Sequence, residues 1–160
     1  MQFAENFEEI VSAFQKCNVD FMLCGGFAVN FHGYNRNTSD LDLWINPIVE
    51  NKEKVFNALI LLKFSKEQAS NLEDIDFTKP FAFKIGYDPI DIDVFNHITG
   101  VKYADAEKEK VEFVYSDTLK VYYISLKDLI LNKMLAGRPK DKLDVEELQR
   151  IIILKKENNI

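Results

Sequence analysis

Aspartates occur in pairs spaced by one residue at three places, Asp40/Asp42, Asp74/Asp76 and Asp91/Asp93. Alternate side chains of an extended strand share a face, so both members of such a pair point the same way. Two carboxylates on one face suit a hard divalent cation. Upstream of the first pair, the apolar run Phe21-Met22-Leu23 ends in Cys24-Gly25-Gly26. A paired glycine there predicts a strand turning sharply into a helix, with backbone N–H groups brought close to an anion. A phosphate cradle beside paired carboxylates is what a metal–nucleotide site requires.

The three pairs differ in their surroundings. Asn71, Glu73 and Lys79 flank Asp74 and Asp76, which reads as a solvated edge. Around the first pair, Leu41, Leu43 and Ile45 make one apolar face, opposite Asp40, Asp42 and Trp44. In the third, Ile90, Ile92 and Val94 oppose Asp91, Asp93 and Phe95. A strand anchored by such a face holds its acids in a fixed direction. Neighbouring strands lie about 4.8 Å apart and alternate residues about 6.7 Å apart. Three carboxylates on that grid can surround two divalent ions about 4 Å apart, the arrangement of two-metal nucleotidyl chemistry. Such a site requires the two acidic strands to be neighbours, which the spacing alone does not establish.

Other Asp-x-Asp chemistries fit less well. The stretch Asn35 to Ser39 is polar and the apolar strand follows it, the reverse of a haloacid-type phosphatase. Metal-dependent glycosyltransferases normally need a considerably larger catalytic domain. There is no Gly-x-x-x-x-Gly-Lys-Ser/Thr and no Gly-x-Gly-x-x-Gly.

The elements that would position these residues can be read from periodicity. Phe7, Ile10, Val11 and Phe14 predict an amphipathic helix from about Asn6 to Lys16, and Val55, Phe56, Leu59 and Leu62 another over Glu50 to Lys63. Val19 to Cys24 reads as a buried strand, followed by a short helix from Gly26 to Phe31. Leu41 to Ile45 forms the next strand, and a charged linker spans Ser65 to Lys79. Phe81 to Ile85 and Ile90 to Phe95 predict a strand pair around Gly86-Tyr87-Asp88-Pro89. A surface helix over Tyr103 to Lys110 and short strands at Val111 to Tyr115 and Leu119 to Ile124 come next. Ser125-Leu126-Lys127-Asp128 opens a helix to Ala136 that Gly137 stops, and Pro139 begins a last helix.

At 160 residues and 47% hydrophobic content the chain can bury one core. A net charge of −6 disfavours a protein that coats nucleic acid. No apolar run reaches membrane-spanning length, no signal peptide is evident, and Cys17 and Cys24 lack metal or redox spacing. A reduced, cytoplasmic location is the expectation.

In ordered blocks the chain resembles the DNA polymerase β-like nucleotidyltransferase superfamily. The blocks are Cys24-Gly25-Gly26-Phe27-Ala28-Val29, His32-Gly33-Tyr34 with Arg36 and Thr38, Asp40-Leu41-Asp42, Ile92-Asp93-Val94-Phe95 and Ile98-Thr99-Gly100. Ile124 to Ile130, Lys133 and Gly137-Arg138-Pro139-Lys140-Asp141 with Asp144 complete them. The nearer resemblance is to a small bacterial and archaeal branch that includes lincosamide-type antibiotic nucleotidyltransferases and abortive-infection nucleotidyltransferase-like proteins. It implies that Asp40, Asp42 and Asp93 ligate Mg²⁺ (or Mn²⁺), with Asp93 acting as or orienting the base, and that Gly25 and Gly26 pack against the triphosphate. Many relatives carry serine where this chain has Gly26, so a hydroxyl contact to phosphate is expected to be missing.

Arg36 could reach a phosphate through its fork of donors, or be a plain loop arginine. Thr38 either binds phosphate or shapes the turn. Lys133, Arg138 and Lys140 cluster at the last helix junction. Lys133 and Lys140 are assigned to the nucleotide, and Arg138 to solvated charge. Among aromatics, Trp44 and Tyr34 are candidates to stack on a base, and the phenylalanines are assigned to the core. His32 reads as structural.

The expected fold is α/β (α+β): a small mixed, twisted sheet with flanking helices, the polymerase β-like nucleotidyltransferase fold. Residues 1–124 form the core and residues 125–160 a C-terminal helical pair packed on it. The expected activity is metal-dependent transfer of a nucleoside monophosphate, with AMP from ATP preferred, to a hydroxyl of a small molecule, an RNA end or a protein. The alternative is a catalytically weak or inactive regulatory half of a toxin–antitoxin pair. No membrane partner is expected; a homodimer stays open.

Overall fold

The acidic strands are neighbours. The computed structural model describes residues 2–159 and shows one six-stranded mixed sheet in the order β3-β4-β2-β1-β6-β5. Its strands are β1 (Phe21–Leu23), β2 (Asp40–Ile45), β3 (Ala82–Tyr87), β4 (Ile90–Phe95), β5 (Val111–Ser116) and β6 (Leu119–Tyr123). The helices are α1 (Gln2–Lys16), α2 (Gly25–Phe31), α3 (Glu50–Leu61), α4 (Lys66–Ser70), α5 (Tyr103–Ala106), α6 (Leu126–Ala136) and α7 (Pro139–Glu157). The mixed sheet and the C-terminal helices match the expected fold class. Among the described residues no helix is long and apolar enough to cross a membrane.

Alternation dictates the sheet's two faces. Leu41 and Leu43 on β2 and Ile92 and Val94 on β4 are fully buried. Strand β2 runs parallel to β4 with Asp40 opposite Asp91 and Asp42 opposite Asp93. The apolar residues lock that register, because a slip by one would turn every carboxylate into the core.

Strand β1 pairs antiparallel with β2 and parallel with β6, where Ile124 N–H bonds the Leu23 carbonyl at 2.9 Å. The ends of β1 and β6 therefore lie side by side. One leads into the glycine turn and α2, the other into α6. His32 sits between them, its Nε2 2.8 Å from the Ile124 carbonyl oxygen, the structural role expected of it. Ser125 caps α6 by accepting from Asp128 N–H at 3.1 Å, and Gly137 ends that helix at φ 65°.

Two expectations need correction. The linker over Ser65 to Lys79 contains α4, opened by a capping box between Ser65 and Gln68, a local signal. The helix expected over Tyr103 to Lys110 is only the turn Tyr103–Ala106, exposed at Ala104 and Asp105 but held inward by buried Tyr103 and Ala106. The Tyr103 hydroxyl donates to Asp20 Oδ1 at 2.9 Å, anchoring that turn beneath Trp44.

Asn51 organises the loops at the far end of β1 and β2. Fully buried, it accepts from Asp20 N–H at 3.0 Å and donates to the carbonyls of Asp20 and Asn46, both at 2.9 Å. Replacing it by alanine strands the Asp20 N–H out of water and empties a buried site, while the two carbonyls keep their bonds from Asn46 N–H and Ile48 N–H. Asn51→Ala should lower unfolding free energy by about 2–3 kcal/mol in a urea titration, with no change in ligand binding at the distant sheet end.

Candidate active site

The parallel pairing of β2 and β4 puts Asp40, Asp42 and Asp93 along one cleft of about 510 Å³. Gly25, Gly26, Thr38 and the α6–α7 junction form its other walls. Asp91 is paired with Asp40 on the same face but lies outside the cleft lining, whereas Asp93 lines it beside Asp42. Asp74 and Asp76 lie away from the cleft, and Asp76 accepts from Thr78 in a local turn.

The glycines have a steric task. Gly25 adopts φ +60°, and a Cβ there would collide with the Asp42 carboxylate. Its lack of a side chain lets α2 start directly against that acid. A Cβ on Gly26 would overlap the Thr38 hydroxyl. The Thr38 hydroxyl thus occupies the space that a side chain at position 26 would need. The Gly26 N–H is itself turned toward the Asp42 carboxylate.

Crowded negative charge shows in the electrostatics. Burial pushes Asp42 up to about 6, with the charges of Asp93 and Asp40 adding to it. Burial also raises Asp93, against the opposing charge of Lys84. Lys84 lies on β3 opposite Asp93 in the antiparallel pair. Its ammonium is 3.5 Å from Asp40 Oδ1, 3.8 Å from Asp91 Oδ2 and 3.5 Å from Asp93 Oδ2. The charge of Asp93, and less those of Asp40 and Asp91, holds Lys84 above its ordinary value. The carboxylate oxygens of Asp40, Asp42 and Asp93 are of the hard donor type that magnesium takes. Among the described residues no three His, Cys, Asp or Glu side chains close into a metal cage. An open, oxygen-only site completed by water and substrate phosphates is the usual way magnesium is held.

Behind the cleft lies a charge network. Arg36 grips Asp144 with Nε at 2.6 Å and Nη2 at 2.9 Å. Lys133 bonds Asp144 at 2.8 Å and Asp141 at 3.2 Å, and Arg138 Nε bonds Asp141 at 2.7 Å. Lys133, Asp141 and Asp144 are all buried. Burial pushes Asp144 up, but hydrogen bonds from Arg36 and Lys133 outweigh it and hold the carboxyl below its usual value. Arg36 ties the loop before β2 to α7 through Asp144 while also lining the cleft. Arg138, expected to be merely solvated, lines the cleft and closes the first turn of α7 through Asp141. Lys140 lines the cleft with no ion-pair partner among the described residues.

Base stacking on Trp44 is ruled out, since its ring is fully buried against Tyr103 at 5.1 Å. Tyr34 packs on the core and is absent from the cleft lining, while Phe95 and His97 do line it. Residues missed from sequence include Lys84. Its signal was present: a tight turn at Asp88-Pro89 pairs Tyr87 with Ile90, which places Lys84 opposite Asp93.

Asp42 destabilises the metal-free protein where it is ionised. Its folded value of about 6 lies above the ordinary 3.8, so the penalty is full above both and vanishes as pH falls below them. Asp42→Asn should therefore raise unfolding free energy near neutral pH by roughly 1–3 kcal/mol. That gain should fade in acid, as followed by thermal melting from pH 7 down to about pH 4.

A family model described as "Nucleotidyltransferase of unknown function (DUF6036)" matches residues 1–154. No curated protein matches the chain at a significant level. The matched span contains the glycine turn, both acidic strands and the Lys133–Asp144 network, and on that match the chain belongs to the nucleotidyltransferase family of unknown function.

Proposed function

We propose that the protein transfers a nucleoside monophosphate, AMP from ATP, to an acceptor hydroxyl in a divalent-metal-dependent reaction. The observation that carries this is the in-register pairing of Asp40/Asp42 with Asp91/Asp93 next to the glycine turn. Asp40, Asp42 and Asp93 would hold Mg²⁺ or Mn²⁺, which supplies charge neutralisation at the triphosphate and at the attacking oxygen.

The chain's own groups have separable tasks. Lys140 and Arg138 at the mouth of the α6–α7 junction, with the Thr38 hydroxyl opposite, provide donors for the triphosphate. Lys133 and Arg36 keep that junction in place through Asp144, and Lys133 also moderates the negative charge on Asp42. Asp93, the more accessible of the two facing acids, accepts the proton from the attacking hydroxyl. The site's α-phosphate would then be attacked in line as pyrophosphate leaves. The acceptor class is a small molecule, an RNA end or a protein hydroxyl, reached from the side lined by Phe95, His97 and Thr99.

Incubation of the protein with α-phosphate-labelled ATP, Mg²⁺ and a bacterial lysate tests the reading. The label should move to an acceptor, chelation of the metal should stop it, and Asp93→Asn should reduce it by at least about a hundredfold. Equal labelling by wild type and Asp93→Asn would contradict the assignment.

A further inference from the structure

The paired basic residues around the cleft differ in which acids hold them. Lys133 and Arg138 are held by Asp141 and Asp144, acids outside the candidate metal set. Lys84 differs: its ion-pair partners among the described residues are Asp40, Asp91 and Asp93. It reaches them from the open side, because β3 is the last strand of the sheet order. Its side chain is 52% exposed, so it is free to swing into water.

We propose that Lys84 is a built-in counter-cation of the carboxylate site, displaced when a divalent ion enters, and that it thereby sets how tightly the site takes its metal. The proposal rests on the nucleotidyl-transfer reading given above. An ammonium about 3.5 Å from Asp40 and Asp93 shares the carboxylate face a magnesium ion needs at about 2.1 Å. Both cations cannot hold the same oxygens together, and two positive charges that close repel. Exposed ion pairs are weak, so the lysine yields once metal and triphosphate arrive. Before then it relieves the repulsion among carboxylates from two adjacent strands. Lys84 is a positioning residue in this scheme, since it acts on the metal's affinity and need not touch the reacting atoms.

Mn²⁺ titration, read by the electron paramagnetic resonance of free Mn²⁺, tests this with and without a non-hydrolysable ATP analogue. Lys84→Met should bind Mn²⁺ on the order of tenfold tighter than wild type. Lys84→Arg, which keeps the charge, should stay near wild type, and Asp42→Asn should lose binding. A purely structural lysine would change affinity downward or not at all, so Lys84→Met at or below wild-type affinity overturns the proposal. Lys84→Arg matching the gain of Lys84→Met overturns it as well. Neither of those results touches the nucleotidyl-transfer reading, whereas undiminished Mn²⁺ binding by Asp42→Asn, or none by wild type and Lys84→Met, sinks both. Thermal melts of each variant confirm that the compared proteins are folded.

Discussion

The parallel, in-register pairing of β2 with β4 is the constraint on which the candidate site depends. It converts two separate Asp-x-Asp stretches into one patch, with Asp40 beside Asp91 and Asp42 beside Asp93. The force that holds this pairing acts on the other face of the sheet. Leu41, Leu43, Ile92 and Val94 are fully buried, and a one-residue slip would exchange them for carboxylates. Hydrophobic burial thus holds like charges together that would otherwise separate. Burial, with the charges of Asp93 and Asp40 adding to it, raises Asp42 within that arrangement.

A second layer of the structure disposes of that charge. Lys84 approaches from β3, and the Arg36–Asp144–Lys133–Asp141–Arg138 ladder closes the opposite wall. Its centre, Lys133 with Asp141 and Asp144, is buried and paired, the condition under which interior ion pairs are tolerated, while Arg138 ends it at the exposed mouth. It joins the loop before β2 to α6 and α7, so the C-terminal helices are part of the cleft. The glycine turn completes the design by removing side chains where α2 meets Asp42.

Much of this was legible from the chain. Strong alternation marked β2 and β4, and local capping chemistry marked α6 at Ser125, Gly137 and α7 at Pro139. The adjacency of the acidic strands was not legible, because residues 46–89 lie between them and pairing across such a span is a tertiary outcome. Burial of Trp44 depended on Tyr103 docking through Asp20, a contact with no local signature. The pairing of Arg36 with Asp144, far along the chain, was also not legible from local sequence. The space filled by Thr38 next to Gly26 likewise required coordinates. Lys84 was within reach of hairpin register, a simple count from the turn.

In the proposed reaction Asp42 and its neighbours would hold a metal-bound nucleotide. Calorimetric titration of ATP into the wild type and into Asp42→Asn, each with Mg²⁺ and with a chelator, tests it most directly. Binding is expected for the wild type only with Mg²⁺, and none for the folded variant. Unchanged Mg²⁺-dependent ATP binding in Asp42→Asn would contradict that reading.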